Sequence, residues 1–200
     1  QIYGLTKGQY SPTSEVGKVT KSTPFGSIET PFNPISVALG AEATFVARTH
    51  DMDRAHMIET FRRAHDHKGA AFVEIYQNCN VFNDGAFEDI TKKDNRESML
   101  IPLVHGEPIR FGPDGSLCVT LSSQGHASIA NVADVGEDAI LVHDESRDYP
   151  DLAFTLSRLA RGPHEPTPIG VFRAVERPEY GSAVSEQLAA AQATKGPGDL

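Results

Sequence analysis

Residues 44–76 read TFVARTHDMDRAHMIETFRRAHDHKGAAFVEIY, and this stretch decides the fold class. It opens with a short apolar run that predicts a strand over residues 44–47, and Asp51 is placed to cap a following helix. The apolar residues of that helix recur at helical spacing, at Met57, Phe61 and Ala64. Residues 70–76 then form a nearly continuous apolar run that is typical of a buried parallel strand. Strand, helix and strand with short connections make a βαβ unit, so the first half of the chain is predicted to be α/β.

The chain is less regular on both sides of this unit. Residues 4–36 are rich in Gly, Ser, Thr and Pro, which predicts a long loop of the kind that covers a ligand. A short helix is predicted over residues 35–41, where a glycine ends the apolar run. Farther on, His105-Gly106-Glu107 and Pro113-Asp114-Gly115 favour β-hairpins. The other predicted strands span residues 99–104, 109–111, 117–121, 139–143 and 169–175, and the predicted helices span residues 87–97, 151–159 and 180–193.

Composition excludes several classes of protein. The net charge of −9 argues against a nucleic-acid partner, which would need clustered Lys and Arg. No apolar stretch approaches the roughly 20 residues that span a bilayer, and no signal-peptide pattern opens the chain, so we expect no membrane partner and a cytoplasmic location. Cys79 and Cys118 do not make a disulfide framework, which favours a reducing compartment. Because the chain begins at Gln1, we expect a segment of a longer polypeptide.

The most specific sequence motif lies at the start of the chain. Residues 2–13 read IYGLTKGQYSPT, which begins as the end of a strand and breaks into a Gly/Thr/Lys/Gly turn. Such a turn presents backbone N–H groups, hydroxyls and one cation together, which suits a phosphate-bearing ligand. Taken alone, the same residues are also explained by a polar turn after a strand.

This wording resembles the cofactor-binding segment of the β subunit of 2-oxoacid:ferredoxin oxidoreductases, which use thiamine diphosphate to decarboxylate 2-oxoacids onto coenzyme A. Residues 45–48 (FVAR) and 72–79 (FVEIYQNC) are similar to further segments of that family, in the same order. The resemblance implies an α/β thiamine-diphosphate-binding fold with a mainly parallel sheet, followed by a C-terminal α+β extension. Residues 1–85 would be the C-terminal part of the thiamine-diphosphate-binding domain. Residues 86–200 would be an extension that packs on the core and the subunit interface.

The resemblance also assigns roles in the opening segment. Ile2 matches a backbone carbonyl that binds Mg²⁺, an ion that prefers oxygen ligands; a plain core strand residue is the alternative. Gly4, Leu5 and Thr6 match positions that bind the cofactor, with Leu5 under the thiazolium ring and the Thr6 hydroxyl directed to the diphosphate. Lys7, the cation of the loop, is predicted to be catalytic by attracting the substrate carboxylate or the diphosphate. A solvated loop lysine is the alternative for Lys7.

Cys79 matches the last of four cysteines that bind a [4Fe–4S] cluster in the family, and a thiolate is the usual ligand of such a cluster. The other three ligands are expected upstream of Gln1. Family members usually carry proline around this cysteine, whereas Asn78 and Asn80 stand here, so the shape of the local turn is open. A buried free thiol is the alternative for Cys79, and Cys118, in an apolar run, is interpreted as packing.

The function implied by the resemblance is oxidative decarboxylation of 2-oxoglutarate with coenzyme A, giving succinyl-CoA, CO₂ and reduced ferredoxin. An α subunit is the expected partner, in a heterotetramer. Pyruvate or a branched-chain 2-oxoacid stays open as the substrate. Two other classes also stay open: an electron-transfer module without turnover of its own, and a non-redox thiamine-diphosphate lyase.

Other polar residues give weaker signals. His65 and His67 are two residues apart and therefore do not share a helix face, so a solvated helix end is favoured over a zinc site. His50 follows a predicted strand at its carboxyl end, where open α/β sheets place ligands. For Arg48, the sequence leaves open whether it pairs with a carboxylate or stabilises the fold.

Overall fold

The structure, a computed structural model, describes residues 2–160, 164–196 and 198. Its strands are β1 (Ile2–Tyr3), β2 (Gln9–Tyr10), β3 (Phe45–His50), β4 (Ala71–Tyr76), β5 (Leu100–Leu103), β6 (Arg110–Phe111), β7 (Leu117–Leu121), β8 (Ala127–Asn131) and β9 (Thr167–Ala174). Its α-helices are α1 (Pro34–Gly40), α2 (Arg54–Asp66), α3 (Glu88–Thr91), α4 (Arg96–Met99), α5 (Val132–Val135), α6 (Asp151–Ser157) and α7 (Tyr180–Lys195).

A four-stranded sheet in the order β4-β3-β9-β5 organises the fold. β3 pairs with β4 in parallel and β5 pairs with β9 in parallel, while the central β3–β9 pairing is antiparallel. The predicted α/β class and mainly parallel sheet are therefore confirmed. The expectation that residues 70–76 form a fully buried strand is wrong, because β4 lies at the edge of the sheet and is only half-buried.

The core lies on both faces of β3, whose six residues are all buried. Val46 points to the face covered by α1 and α6, where it joins Leu39, Leu156 and Phe172. Phe45 and Ala47 point to the opposite face, where Ala64 of α2 packs. This alternation follows from the two-residue period of a strand. Burial of each large apolar side chain contributes roughly 1.5–3 kcal/mol.

The helix of the βαβ unit begins later than the sequence suggested. Asp53, not Asp51, caps α2, because its Oδ1 accepts the backbone N–H of His56 at 3.0 Å. Asp51 instead accepts the backbone N–H of Asn78 at 3.0 Å. The predicted apolar face is also incomplete, since Phe61 is 42% exposed.

A separate antiparallel sheet, β6-β7-β8, carries the main departures from the predicted elements. The hairpin predicted at residues 113–115 is confirmed between β6 and β7. No hairpin forms around residues 105–107, because β5 pairs with β9 in the central sheet. No strand was predicted over β8, whose sequence is Ala-Ser-Ile-Ala-Asn. The strand predicted over residues 139–143 is wrong, since that segment makes only single bridges through Ile140 and Val142. In place of the single helix predicted over residues 87–97, the chain forms α3 and then α4, which ends at Met99.

The segment before α1 is irregular, as predicted, apart from the β1–β2 hairpin. Its fold depends on a close approach between two glycines: Gly26 has φ +87°, and a Cβ there would lie 2.8 Å from the carbonyl oxygen of Gly17. The Ser27 hydroxyl ties the same region together by donating to the Glu15 carbonyl at 2.6 Å.

The central sheet joins the two parts that the sequence analysis separated at residue 85. β3 and β4 come from the first part, and β5 and β9 come from the second. The division remains a prediction. α7 is exposed along its length. In the described part of the chain, no helix is both long and apolar enough to cross a membrane.

Candidate functional site

A cleft of about 950 Å³ opens beside the carboxyl end of β4. Its walls come from the opening segment, from the ends of β3 and β4, and from the turn that follows β4. Four residues singled out in the sequence line this same cleft, namely Ile2, Gly4, Arg48 and Cys79. The fold therefore brings together two motifs that are more than 70 residues apart in the chain.

The other predicted residues of the opening segment lie at its exposed tip. Leu5 is 96% exposed, and Thr6 and Lys7 are also exposed. The tip is a tight turn, in which the Lys7 N–H donates to the Gly4 carbonyl at 3.1 Å and the Gly8 N–H donates to the Tyr3 carbonyl at 2.8 Å. Lys7 stands in the left-handed region at φ +71°, which an L side chain adopts only at a cost.

A buried ion pair forms part of the cleft wall. Arg48 Nε donates to Glu74 Oε2 at 2.6 Å, and Nη1 donates to the Pro168 carbonyl at 3.1 Å. The guanidinium lies 5.0 Å from the ring centre of Tyr76 and 5.4 Å from that of Phe172. Arg48 thus both pairs with a carboxylate and stabilises the fold. The sequence gave no sign of Glu74 as its partner, because only the parallel register of β3 and β4 sets them side by side.

The electrostatics of this pair follow from burial. Burial disfavours the charge on Arg48, but Tyr76 and Glu74 outweigh that effect and raise the pKa of the guanidinium. Burial also raises the pKa of Tyr76 to about 12, so its hydroxyl stays neutral. The Tyr76 ring stacks on Phe87 at 4.5 Å between ring centres. This wall of the cleft is therefore aromatic, and the charge of Arg48 in it is compensated by Glu74.

Cys79 sits half-buried in the turn after β4. Interactions with the backbone of Phe82, Val81 and Asn83 lower the pKa of the Cys79 thiol. Asn78, one of the residues that depart from the family pattern, ties the turn: its Nδ2 donates to Asp84 Oδ1 at 2.9 Å. A lowered pKa favours the thiolate, which is the form of cysteine that binds metal.

The remaining candidates lie away from the cleft lining. Cys118 is buried and its sulfur donates weakly to the Ala130 carbonyl at 3.6 Å, as packing predicts. His67 contacts the Thr44 hydroxyl at 2.8 Å. His50 is almost fully buried, and burial is the main cause of its lowered pKa.

The cleft lining fits a phosphate-bearing cofactor in part. It offers the backbone at Ile2 and Gly4 and the side chain of Thr13. The Glu15 carboxylate, which pairs with Lys18 at 2.9 Å, would instead repel a phosphate. Across the described ranges, no three His, Cys, Asp or Glu side chains come together as a metal site.

Comparison with known proteins finds similarity to a thiamine pyrophosphate family and to subunits of 2-oxoacid oxidoreductases. The family described as "Thiamine pyrophosphate enzyme, C-terminal TPP binding domain" matches residues 1–75. The 2-oxoglutarate oxidoreductase subunit KorB of Mycobacterium tuberculosis is 54% identical over 192 residues, which cover 96% of this chain and 51% of that protein. The 2-oxoacid:ferredoxin oxidoreductase subunit beta of Saccharolobus solfataricus is 45% identical over 83 residues, which cover 42% of this chain and 27% of that protein.

A solved structure extends the similarity to the fold. The 2-oxoglutarate:ferredoxin oxidoreductase from Magnetococcus marinus, solved with 2-oxoglutarate, coenzyme A and succinyl-CoA bound, superposes with a TM-score of 0.61 at 27% identity. The match covers 94% of this chain and 50% of that chain. The present chain thus spans about half the length of these relatives.

Proposed function

Because this chain belongs to the family of 2-oxoacid:ferredoxin oxidoreductase β subunits, we propose that it forms the cofactor-binding part of an enzyme that oxidises 2-oxoglutarate. The reaction would convert 2-oxoglutarate and coenzyme A to succinyl-CoA and CO₂ and reduce ferredoxin. One observation carries the proposal: Ile2 and Gly4 of the opening motif line a single cleft with Cys79. A cofactor and an electron acceptor held there would be close neighbours.

The opening segment would hold thiamine diphosphate, which supplies the ylide and carbanion chemistry of decarboxylation when bound. Ile2 would give its backbone carbonyl to Mg²⁺, and Gly4 would let the chain approach the diphosphate closely. Leu5 would support the thiazolium ring, and Thr6 would donate its hydroxyl to a diphosphate oxygen. The exposure of Leu5 to Lys7 is what a segment completed by a partner chain would show in isolation.

Lys7 would attract the substrate carboxylate. Lys7 has φ +71°, a backbone conformation that glycine would adopt without strain. A lysine at this position therefore supports a role for its side chain. Cys79 would be one ligand of a [4Fe–4S] cluster, since its turn lowers the pKa of the thiol and so favours the thiolate that binds iron. The cluster would pass electrons one at a time to ferredoxin.

The surface of the opening segment supports an α-subunit partner. A heterotetramer and a cytoplasmic location are further parts of the proposal. Large apolar side chains are exposed along this segment, namely Tyr3, Leu5, Val16, Val19, Phe25 and Ile28. An exposed apolar surface of this kind usually marks a protein interface. The α subunit would then close the cleft.

The proposal is tested by anaerobic purification of the full-length subunit with its partner, followed by cofactor and iron analysis. Bound thiamine diphosphate with about four irons per subunit is the expected result, and Cys79→Ala should lose the iron while retaining most of the cofactor. Thiamine diphosphate without iron would indicate a non-redox lyase instead. A panel of 2-oxoacids in a ferredoxin-reduction assay would then rank 2-oxoglutarate against pyruvate and branched-chain substrates.

A further inference from the structure

The turn between β4 and α3 is held rigidly at its base. Asn78 anchors it three times: its N–H donates to Asp51 Oδ2 at 3.0 Å, its Nδ2 donates to Asp84, and its Oδ1 accepts the Gly85 N–H at 2.9 Å. Within the turn, the Asn83 N–H donates to the Cys79 carbonyl at 3.0 Å. These bonds fix the position of the residues between them, including Phe82.

The Phe82 ring lies against the opening segment. A Cβ built on Gly4 would come within 3.4 Å of the ring, and one built on Gly8 would come within 3.6 Å. The two glycines flank the Leu5–Lys7 tip, so the ring contacts both ends of the turn. Phe82 is half-buried and also lines the cleft.

The opening turn has little else to hold it. β1 and β2 contain two residues each, and an isolated two-stranded hairpin is marginal in water. The tip residues Leu5, Thr6 and Lys7 are exposed and bring no packing of their own. The ring is therefore the main apolar support that the described residues give to this turn.

We propose that Phe82 is the positioning residue of the cofactor loop, and that it couples the turn carrying Cys79 to the turn carrying Lys7. The coupling follows from the geometry, since a displacement of the Cys79 turn moves the ring that supports Gly4 and Gly8. The proposal rests on the proposed function in one respect: it takes the opening turn to bind thiamine diphosphate.

The test compares Phe82→Ala with Val81→Ala in the full-length subunit with its partner. Val81 is the matched control, because it is the neighbouring residue and is 72% exposed. Phe82→Ala should weaken the thiamine diphosphate Kd by about tenfold, since small misplacements of a binding group have effects of that size. Val81→Ala should change the Kd by less than about twofold, and Phe82→Tyr, which keeps the ring, should restore most of the affinity.

A second readout needs no cofactor. In the cofactor-free protein, amide hydrogen exchange at Lys7 and Gly8 should be about tenfold faster in Phe82→Ala than in Val81→Ala, because local opening exposes those N–H groups. Equal exchange and equal Kd for the two variants would overturn the proposal. Faster exchange in a protein that binds no thiamine diphosphate would support the positioning role and overturn the proposed function. Phe82→Leu serves for both readouts if Phe82→Ala does not fold.

Discussion

Replacing Glu74 by Leu should destabilise the protein far more than a substitution on an edge strand normally does. The side chains of Arg48 and Glu74 are only 3% and 13% exposed, and the two meet at 2.6 Å. Without the carboxylate, Arg48 keeps one hydrogen bond, to the Pro168 carbonyl, and the faces of two aromatic rings. A full positive charge then lies buried without a counter-charge.

The size of the effect follows from the desolvation of that charge. Removing one partner of a buried ion pair typically lowers the free energy of unfolding by about 3–5 kcal/mol. With a urea m value of about 2 kcal/mol/M, the unfolding midpoint should fall by about 2 M. The double variant Arg48→Met with Glu74→Leu removes both charges and keeps apolar volume. It should recover most of that loss, because well-packed apolar replacements of buried pairs are often neutral.

The assay is urea unfolding followed by far-UV circular dichroism, since the chain contains no tryptophan to report by fluorescence. Val81→Ala supplies a surface substitution for comparison. A midpoint shift below about 0.3 M for Glu74→Leu would show that water screens the pair in solution. A double variant less stable than either single variant would equally refute the argument from charge compensation.

Three further predictions address other parts of the molecule. Burial lowers the pKa of His143. Its Nε2 bonds the Val171 carbonyl, and its Nδ1 has no partner among the described residues. Because the unfolded chain takes up a proton first, the stabilisation by neutral His143 is present above about pH 6.5 and is lost as the pH falls. His143→Gln should therefore flatten the pH dependence of urea unfolding between pH 7 and 5, by at most about 1.4 kcal/mol per pH unit. In cluster-free protein, iodoacetamide should modify Cys79 well before Cys118, because the Cys118 thiol is buried and burial raises its pKa. Peptide mass spectrometry measures the order of modification, and the reverse order would contradict the described turn. Lys7→Ala should lower kcat by about tenfold or more and change the thiamine diphosphate Kd by less than about threefold. Lys7→Arg should retain most of the activity. Normal turnover in Lys7→Ala would show that Lys7 is a solvated loop lysine.

Local sequence signals predicted the βαβ unit well, because periodicity and capping act over a few residues. α1 ends where the predicted glycine stands, and β3 and β4 lie within a few residues of their expected positions. The capping residue was displaced by two positions, since Asp51 and Asp53 look equivalent in sequence. The fold distinguishes them, because the backbone N–H of Asn78 donates to Asp51 and leaves Asp53 to cap the helix.

The features that sequence did not predict depend on contacts between distant segments. The Arg48–Glu74 pair requires the β3–β4 register. The contact of Phe82 with Gly4 joins segments on either side of the βαβ unit. Of the site residues, the cleft lining gathers Ile2, Gly4 and Cys79, but it does not include the tip of the opening turn. Pattern alone carries no information about such tertiary proximity.

The insertion of β9 between β3 and β5 has a consequence for biosynthesis. A ribosome delivers β3 more than 100 residues before β9, which at 5–20 residues per second is a delay of about ten seconds. During that time β3 has β4 on one side and an unpaired, apolar edge on the other, and such edges invite aggregation. The sheet has high contact order at its centre, so its folding should be slow and should wait for the late strand. We expect nascent chains of this protein to need chaperone protection until residue 174 has left the ribosome.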